Sequence, residues 1–211
     1  MSRKEMPNNG ISFMNAPDAV QTDKKAKTKR FFRIFIIMLL LVGLFTYILT
    51  FGWTAVMKRS YPKKYSSYVE KYCAEYNVDE TLMYALIKTE SGFDPEATSS
   101  VGAVGLTQIM PDTFTWLCTK TGEKLTEDDL KDPETSIKYC ALFLSILQKQ
   151  FSSRKSVIAA YHAGASKVST WLADKDCSKD GKELYNIPSD DTAHYVNKVM
   201  NAINTYNNLY K

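Results

Sequence analysis

From Ile34 to Met57 the chain reads IFIIMLLLVGLFTYILTFGWTAVM, 24 residues without a charge. At about 1.5 Å per residue such a helix reaches roughly 36 Å, enough to cross a hydrocarbon layer of roughly 30 Å with a modest tilt. After residue 65 the apolar positions fall three to four apart and no alternating run is long enough for a sheet, so the pattern predicts a mainly α domain. Helices are predicted over about 65–76 and 80–91. The second has Asp79 as N-cap, Val78 as staple and Gly92 just past its end. Another helix opens at Pro111 and carries Phe114, Trp116 and Leu117, and residues 122–129 make a polar connection. The longest soluble helix is capped by Asp132, opened by Pro133 and lined by Ile137, Cys140, Ala141, Leu144, Ile146 and Leu147. Two shorter helices, about 154–163 and 165–172, join at Gly164, and a last one starts near Ser189. The segment VGAVGLTQI, with Gly102 and Gly105, is expected to form a small β-like lip where backbone can approach a ligand closely.

Charge adds an asymmetry. Residues 1–33 hold eight Lys or Arg against three acids, net +5, whereas residues 34–211 hold nineteen against twenty, net −1. The basicity therefore belongs to the tail, and no nucleic-acid surface is expected on the folded part. The tail, poor in large apolar groups, reads as disordered and cytoplasmic. Lys58 and Arg59 follow the apolar run where a signal peptide would have a small-residue cleavage site, which favours an uncleaved signal anchor. The cluster KKAKTKR before the span outweighs the basic residues after it, which orients the N-terminus inward and the domain outward. The expected organisation is a tail over 1–33, a transmembrane helix over 34–57, a linker over 58–64 and a helical domain over 65–211.

Four cysteines, Cys73, Cys118, Cys140 and Cys177, lie on the proposed outer side, where one or two disulfides could form. The spacing does not assign partners. Cys73 and Cys140 also fit as buried thiols in helices. With no CxxC pair and only His162 and His194 as histidines, a zinc site is not expected.

The candidate chemistry centres on Glu90, inside ESGFDPEATSSVGAVGLTQIMPDT. Leu82, Met83, Leu86 and Ile87 share its helix face, so its carboxyl emerges where that face enters the interior. Lost solvation raises a carboxyl pKa, and a carboxylic acid still protonated near neutral pH is what glycosidic cleavage asks of its general acid. Taken alone, a Glu at a helix end is usually a solvated surface residue, and Asp94, Glu96 and Asp112 read as capping or solvent-facing groups. His194 reads as exposed, and the many tyrosines suit sugar stacking or helix packing equally.

Four ordered stretches, ESGFDPEATS, GAVGLTQIMPDT, AYHAGASKV and NIPSDDTAHYVNKV, resemble the catalytic domain of the Slt-type lytic transglycosylases of bacterial cell walls, whose fold is that of goose-type lysozyme. The resemblance covers about residues 65–205. It implies a lysozyme-like helical domain with Glu90 as sole acid and base. The bond cut is the β-1,4 bond between N-acetylmuramic acid and N-acetylglucosamine, and a 1,6-anhydro ring forms. It further implies that Ser99 hydrogen-bonds near the catalytic centre and that Gln108 and Met110 line the sugar groove. Tyr161 would bring its hydroxyl close to Glu90, and Asp191 and Tyr195 would complete the wall. The family usually has Glu at Asp191, Met at Thr107 and AYNAGPG where this chain reads AYHAGAS, so His162 enters as a groove residue of altered hydrogen bonding. No cofactor or metal is implied. The implied partners are peptidoglycan strands, the membrane through one helix, and a secretion or conjugation apparatus. Two other readings remain open: a goose-type lysozyme-like hydrolase, which needs a second carboxylate such as Asp94 or Asp191, and a non-catalytic wall-binding scaffold.

Overall fold

The structure is a computed structural model that describes residues 16–211 and divides into two compact units, one reaching Val56 and one from Met57 to Lys211. The first fifteen residues of the expected tail lie outside the described residues. Helix α1 runs Ala16–Ser60, so helix begins well before the apolar run. Its stretch Lys27–Ser60 contains an 18-residue window of mean hydropathy 2.7, long and apolar enough to cross a membrane, and none of that window is buried. The large apolar side chains from Ile34 to Val56 are 50–68% exposed.

The second unit is helical, as the 3.6-residue spacing requires: α2 (Ser66–Tyr76), α3 (Glu80–Glu90), α4 (Pro111–Thr121), α5 (Pro133–Gln150), α6 (Arg154–Ala163), α7 (Ala165–Ala173) and α8 (Asp190–Tyr210). The punctuation is chemical. Asp79 accepts from the Thr81 amide, Asp132 from that of Thr135 and Ser189 from that of Thr192, each satisfying a first-turn N–H that the helix cannot. Pro111 and Pro133 open their helices, and Gly122 closes α4 in the left-handed conformation with φ 74°. The polar connection contains one unforeseen element, a 3₁₀ turn over Glu127–Lys131. It is held by a reciprocal cap between Thr126 and Asp129, and its Leu130 is fully buried.

The core collects the apolar faces these helices share. Leu82, Met83, Leu86 and Ile87 of α3, Ile137, Cys140, Ala141 and Leu144 of α5, and Val196, Val199 and Ile203 of α8 are all essentially without solvent contact. Burying one such aliphatic side chain is worth about 1.5–3 kcal/mol, so this interior rather than helix propensity holds the domain together.

The expected β-like lip is not a sheet. Among the described residues there is no strand, only isolated bridges of Val104 with Thr98 and with Ile109. Gly105 explains why. It takes φ +79°, and a Cβ there would stand 2.0 Å from the Leu130 carbonyl oxygen, so the chain turns tightly against the 3₁₀ segment instead of continuing a pleat. The four cysteines are separate buried thiols, not disulfides. They sit as small apolar residues in the packing, as the helical pattern allowed for Cys73 and Cys140.

Candidate active site

Glu90 is the last residue of α3, and the helix stops there because the chain turns away at once. Ser91 and Gly92 both return their amides to the Ile87 carbonyl, and Gly92 adopts φ +63°. The Ser91 hydroxyl donates to the Leu106 carbonyl at 2.8 Å, which ties the end of α3 to the glycine-bearing loop. Helix α8 packs along α3 and brings Tyr195, 105 residues later in the chain, to Glu90. The Tyr195 hydroxyl donates to Glu90 Oε1 at 2.5 Å. Among the described residues no group donates to Oε2, so one carboxyl oxygen is held and the other is left for a proton.

Burial pushes the Glu90 carboxyl up to about 7, against the opposing pull of the Tyr195 hydrogen bond and the Lys198 charge. Lys198 itself is directed to the Thr89 carbonyl, at 3.3 Å. An acid with that affinity populates both protonation states near neutral pH, which suits a single group that must first give a proton and then take one. Burial also keeps the phenols of Tyr195 and Tyr161 protonated well above their ordinary range, so both remain donors.

Tyr161, on α6, does not bond Glu90 directly. Its hydroxyl donates to the Thr107 carbonyl at 2.7 Å and lies 3.6 Å from Cys140 Sγ. It still senses the site, because the Glu90 charge is one reason its proton is held. Thr107 is fully buried and paired with Ser136, hydroxyl to hydroxyl at 3.0 Å, so a polar pair on α5 and the loop fixes the carbonyl that Tyr161 needs. Sequence reasoning passed over Ser136 and Lys198. The signal for Ser136 was faint: a hydroxyl on the apolar side of α5, next to Ile137.

The other expected residues divide between a groove and its rim. Gln108, Met110, Tyr161 and His162 line one cavity of about 260 Å³, together with Thr113 and Phe143. Gln108 has φ 49°, and its amide nitrogen donates to the Ala97 and Gly105 carbonyls, so it braces the loop as well as facing the groove. The His162 ring stacks on Tyr195 with centroids 4.3 Å apart, shares Nδ1 with the Thr192 hydroxyl at 3.3 Å, and sets Nε2 3.5 Å from Asp191. Asp191 is 86% exposed and reaches the site only through that imidazole. Ser99 accepts from the Ala103 amide at 2.9 Å, which closes its own loop. Asp94 caps the Glu96 amide in a surface turn.

Glu90 does not itself line this cavity; it adjoins the cavity through Tyr195, whose ring stacks on the lining residue His162. This arrangement has relatives. The transglycosylase SLT domain family matches residues 67–184, more than half of the chain. This chain belongs to that family. The soluble lytic murein transglycosylase of Escherichia coli is 30% identical over 149 residues, 68% of this chain and 23% of that protein. The membrane-bound lytic murein transglycosylase C of Serratia proteamaculans is 31% identical over 167 residues, 68% of this chain and 46% of that protein. In three dimensions the 70 kDa soluble lytic transglycosylase of Escherichia coli superposes with a TM-score of 0.65 at 27% identity, over 72% of this chain and 25% of that one. An inactive Glu-to-Gln variant of the Pseudomonas aeruginosa Slt enzyme superposes with a TM-score of 0.63 at 27% identity, over 72% and 25% of the two chains. The SLT fold is thus shared, while the chain spans only about a quarter to a half of the length of these curated relatives.

Proposed function

We propose that this SLT-family protein is a membrane-anchored peptidoglycan lytic transglycosylase with Glu90 as its general acid and base. The observation that carries the reading is the carboxyl of Glu90, buried, raised to about 7 and held through one oxygen by Tyr195. Protonated Glu90 gives its proton to the bridging oxygen as the C1–O bond of the muramic residue breaks and its electron pair leaves on that oxygen. The carboxylate so formed takes the proton of the same sugar's C6 hydroxyl, and O6 closes on C1 as a 1,6-anhydro ring. The nucleophile is intramolecular, so no water is consumed and no second carboxylate has to activate one. The engagement of Asp94 in its turn and of Asp191 with His162 supports this over hydrolysis.

Ser99, Gln108, Met110, Tyr161, His162, Asp191 and Tyr195 would form the groove and its supports. The apolar helix would cross the membrane once, with the basic N-terminus inside and the domain outside. Cutting confined to nearby wall would serve an apparatus that must pass through it, a secretion or conjugation assembly. The test is digestion of purified wall by the full chain and by Glu90→Gln, with products read by mass spectrometry. The expected products are anhydro-ended muropeptides, one water lighter than reducing ends, lost in the Gln variant. Reducing ends alone would make the protein a hydrolase, and lysis undiminished in the Gln variant would remove Glu90 from the chemistry.

A further inference from the structure

Thr113, Trp116 and Lys120 follow one another at helical spacing on α4 and form a ridge, while Phe114, Leu117 and Cys118 of the same helix turn inward. Trp116 is 40% exposed, a large apolar surface left in water on a helix whose other big side chains are buried. Yet the ring is held in place. It meets Phe143 edge-on, with centroids 6.4 Å apart, and Phe143 lies 5.3 Å from the ring of Tyr161. Phe143 and Thr113 also line the groove beside His162. One aromatic surface therefore runs from the groove wall through Phe143 and emerges on α4, passing the 42% exposed Met110 at the helix entry. Lys120 holds its ammonium 5.2 Å from the centroid of Trp116, covering a face that solvent would otherwise meet.

We infer that Trp116 is a distal saccharide subsite, a platform on which an N-acetylhexosamine ring of the glycan strand stacks beyond the groove itself. Sugar rings have an apolar face of C–H groups, and an indole held at a fixed tilt offers a matching plane at little cost in side-chain order. Lys120, exposed and long, moves off the ring when sugar arrives, and its charge then stands where an acidic stem substituent would lie. Phe143 keeps the platform in register with the groove, so a strand engaged at Trp116 is aligned for cutting at Glu90.

This inference rests on the transglycosylase reading, and one experiment separates the two. The full chain in detergent, with Trp116→Ala and Trp116→Phe, is assayed on long peptide-free glycan strands and on the shortest strand the wild type cuts. Trp116→Ala is expected to lower kcat/KM about tenfold on long strands and leave the shortest unchanged, with Trp116→Phe recovering most of the loss. Equal losses on both lengths would mean that Trp116 only shields Phe143, and no loss on long strands would mean that no sugar rests there. Either result overturns the subsite while the activity stands. A wild type that cuts glycan strands of no length overturns the transglycosylase reading itself.

Discussion

Replacing Glu90 by Gln exposes the cost of keeping a carboxyl in this site. The folded state raises the group from its ordinary 4.5 to about 7, so folding favours the protonated form. The sign follows from proton binding: between these two values the native state holds more protons than the unfolded chain, so stability falls as pH rises. The favourable contribution is complete below about pH 4.5 and is lost as pH climbs through about 7. At about 1.4 kcal/mol for each pH unit of separation, and with part of the side chain still reached by water, the loss comes to about 2–3 kcal/mol. Gln cannot ionise, and its carbonyl still accepts from Tyr195, so the variant escapes the penalty. Relative to wild type its melting temperature should rise between pH 4 and pH 8 by roughly 4–12 °C, at about 2–4 °C per kcal/mol for a domain of this size. Melting of both proteins in the same detergent across that range checks it. Curves that stay parallel would refute the burial argument, because they would mean that the carboxyl ionises as freely in the fold as in water.

Tyr195→Phe removes the hydrogen bond that lowers the Glu90 pKa, so the alkaline fall in kcat/KM should move to higher pH, read from the pH profile of strand cleavage. Gly105→Ala forces a Cβ to 2.0 Å from the Leu130 carbonyl at a positive φ and should cost about 3 kcal/mol or more, seen as a large drop in melting temperature. Burial pushes the thiols of Cys73 and Cys140 up to about 12, so neither should react with an alkylating reagent at neutral pH until the domain unfolds, as mass spectrometry of labelled peptides would reveal.

Much of the domain was legible because its helices announce themselves locally. Asp79, Asp132 and Ser189 accept from amides two or three residues on, Pro111 and Pro133 sit at helix starts, and Gly122 ends α4. Each signal involves neighbours within one turn, so the linear chain contains all its parts. The apolar run from Ile34 was legible for the same reason, although helix extends back to Ala16. The expected lip failed where a distant group intervened. Alternation in VGAVGLTQI suggested pleating, but the approach of Gly105 to the Leu130 carbonyl replaced a strand by a turn.

At the site itself, the chain marked Glu90 by its place on an apolar helix face together with the four ordered stretches around it, since a Glu at a helix end taken alone is usually solvated. Which phenol would touch it was decided only by packing. Tyr195 arrives because α8 lies along α3, and Tyr161 turns to Thr107 because a buried Ser136 holds that loop. The separation of the four thiols was decided the same way. Helix boundaries depend on contacts a few residues apart, which sequence order already guarantees. Desolvation, hydrogen-bond partners and pKa depend on groups up to 105 residues away, which meet only once the core has closed.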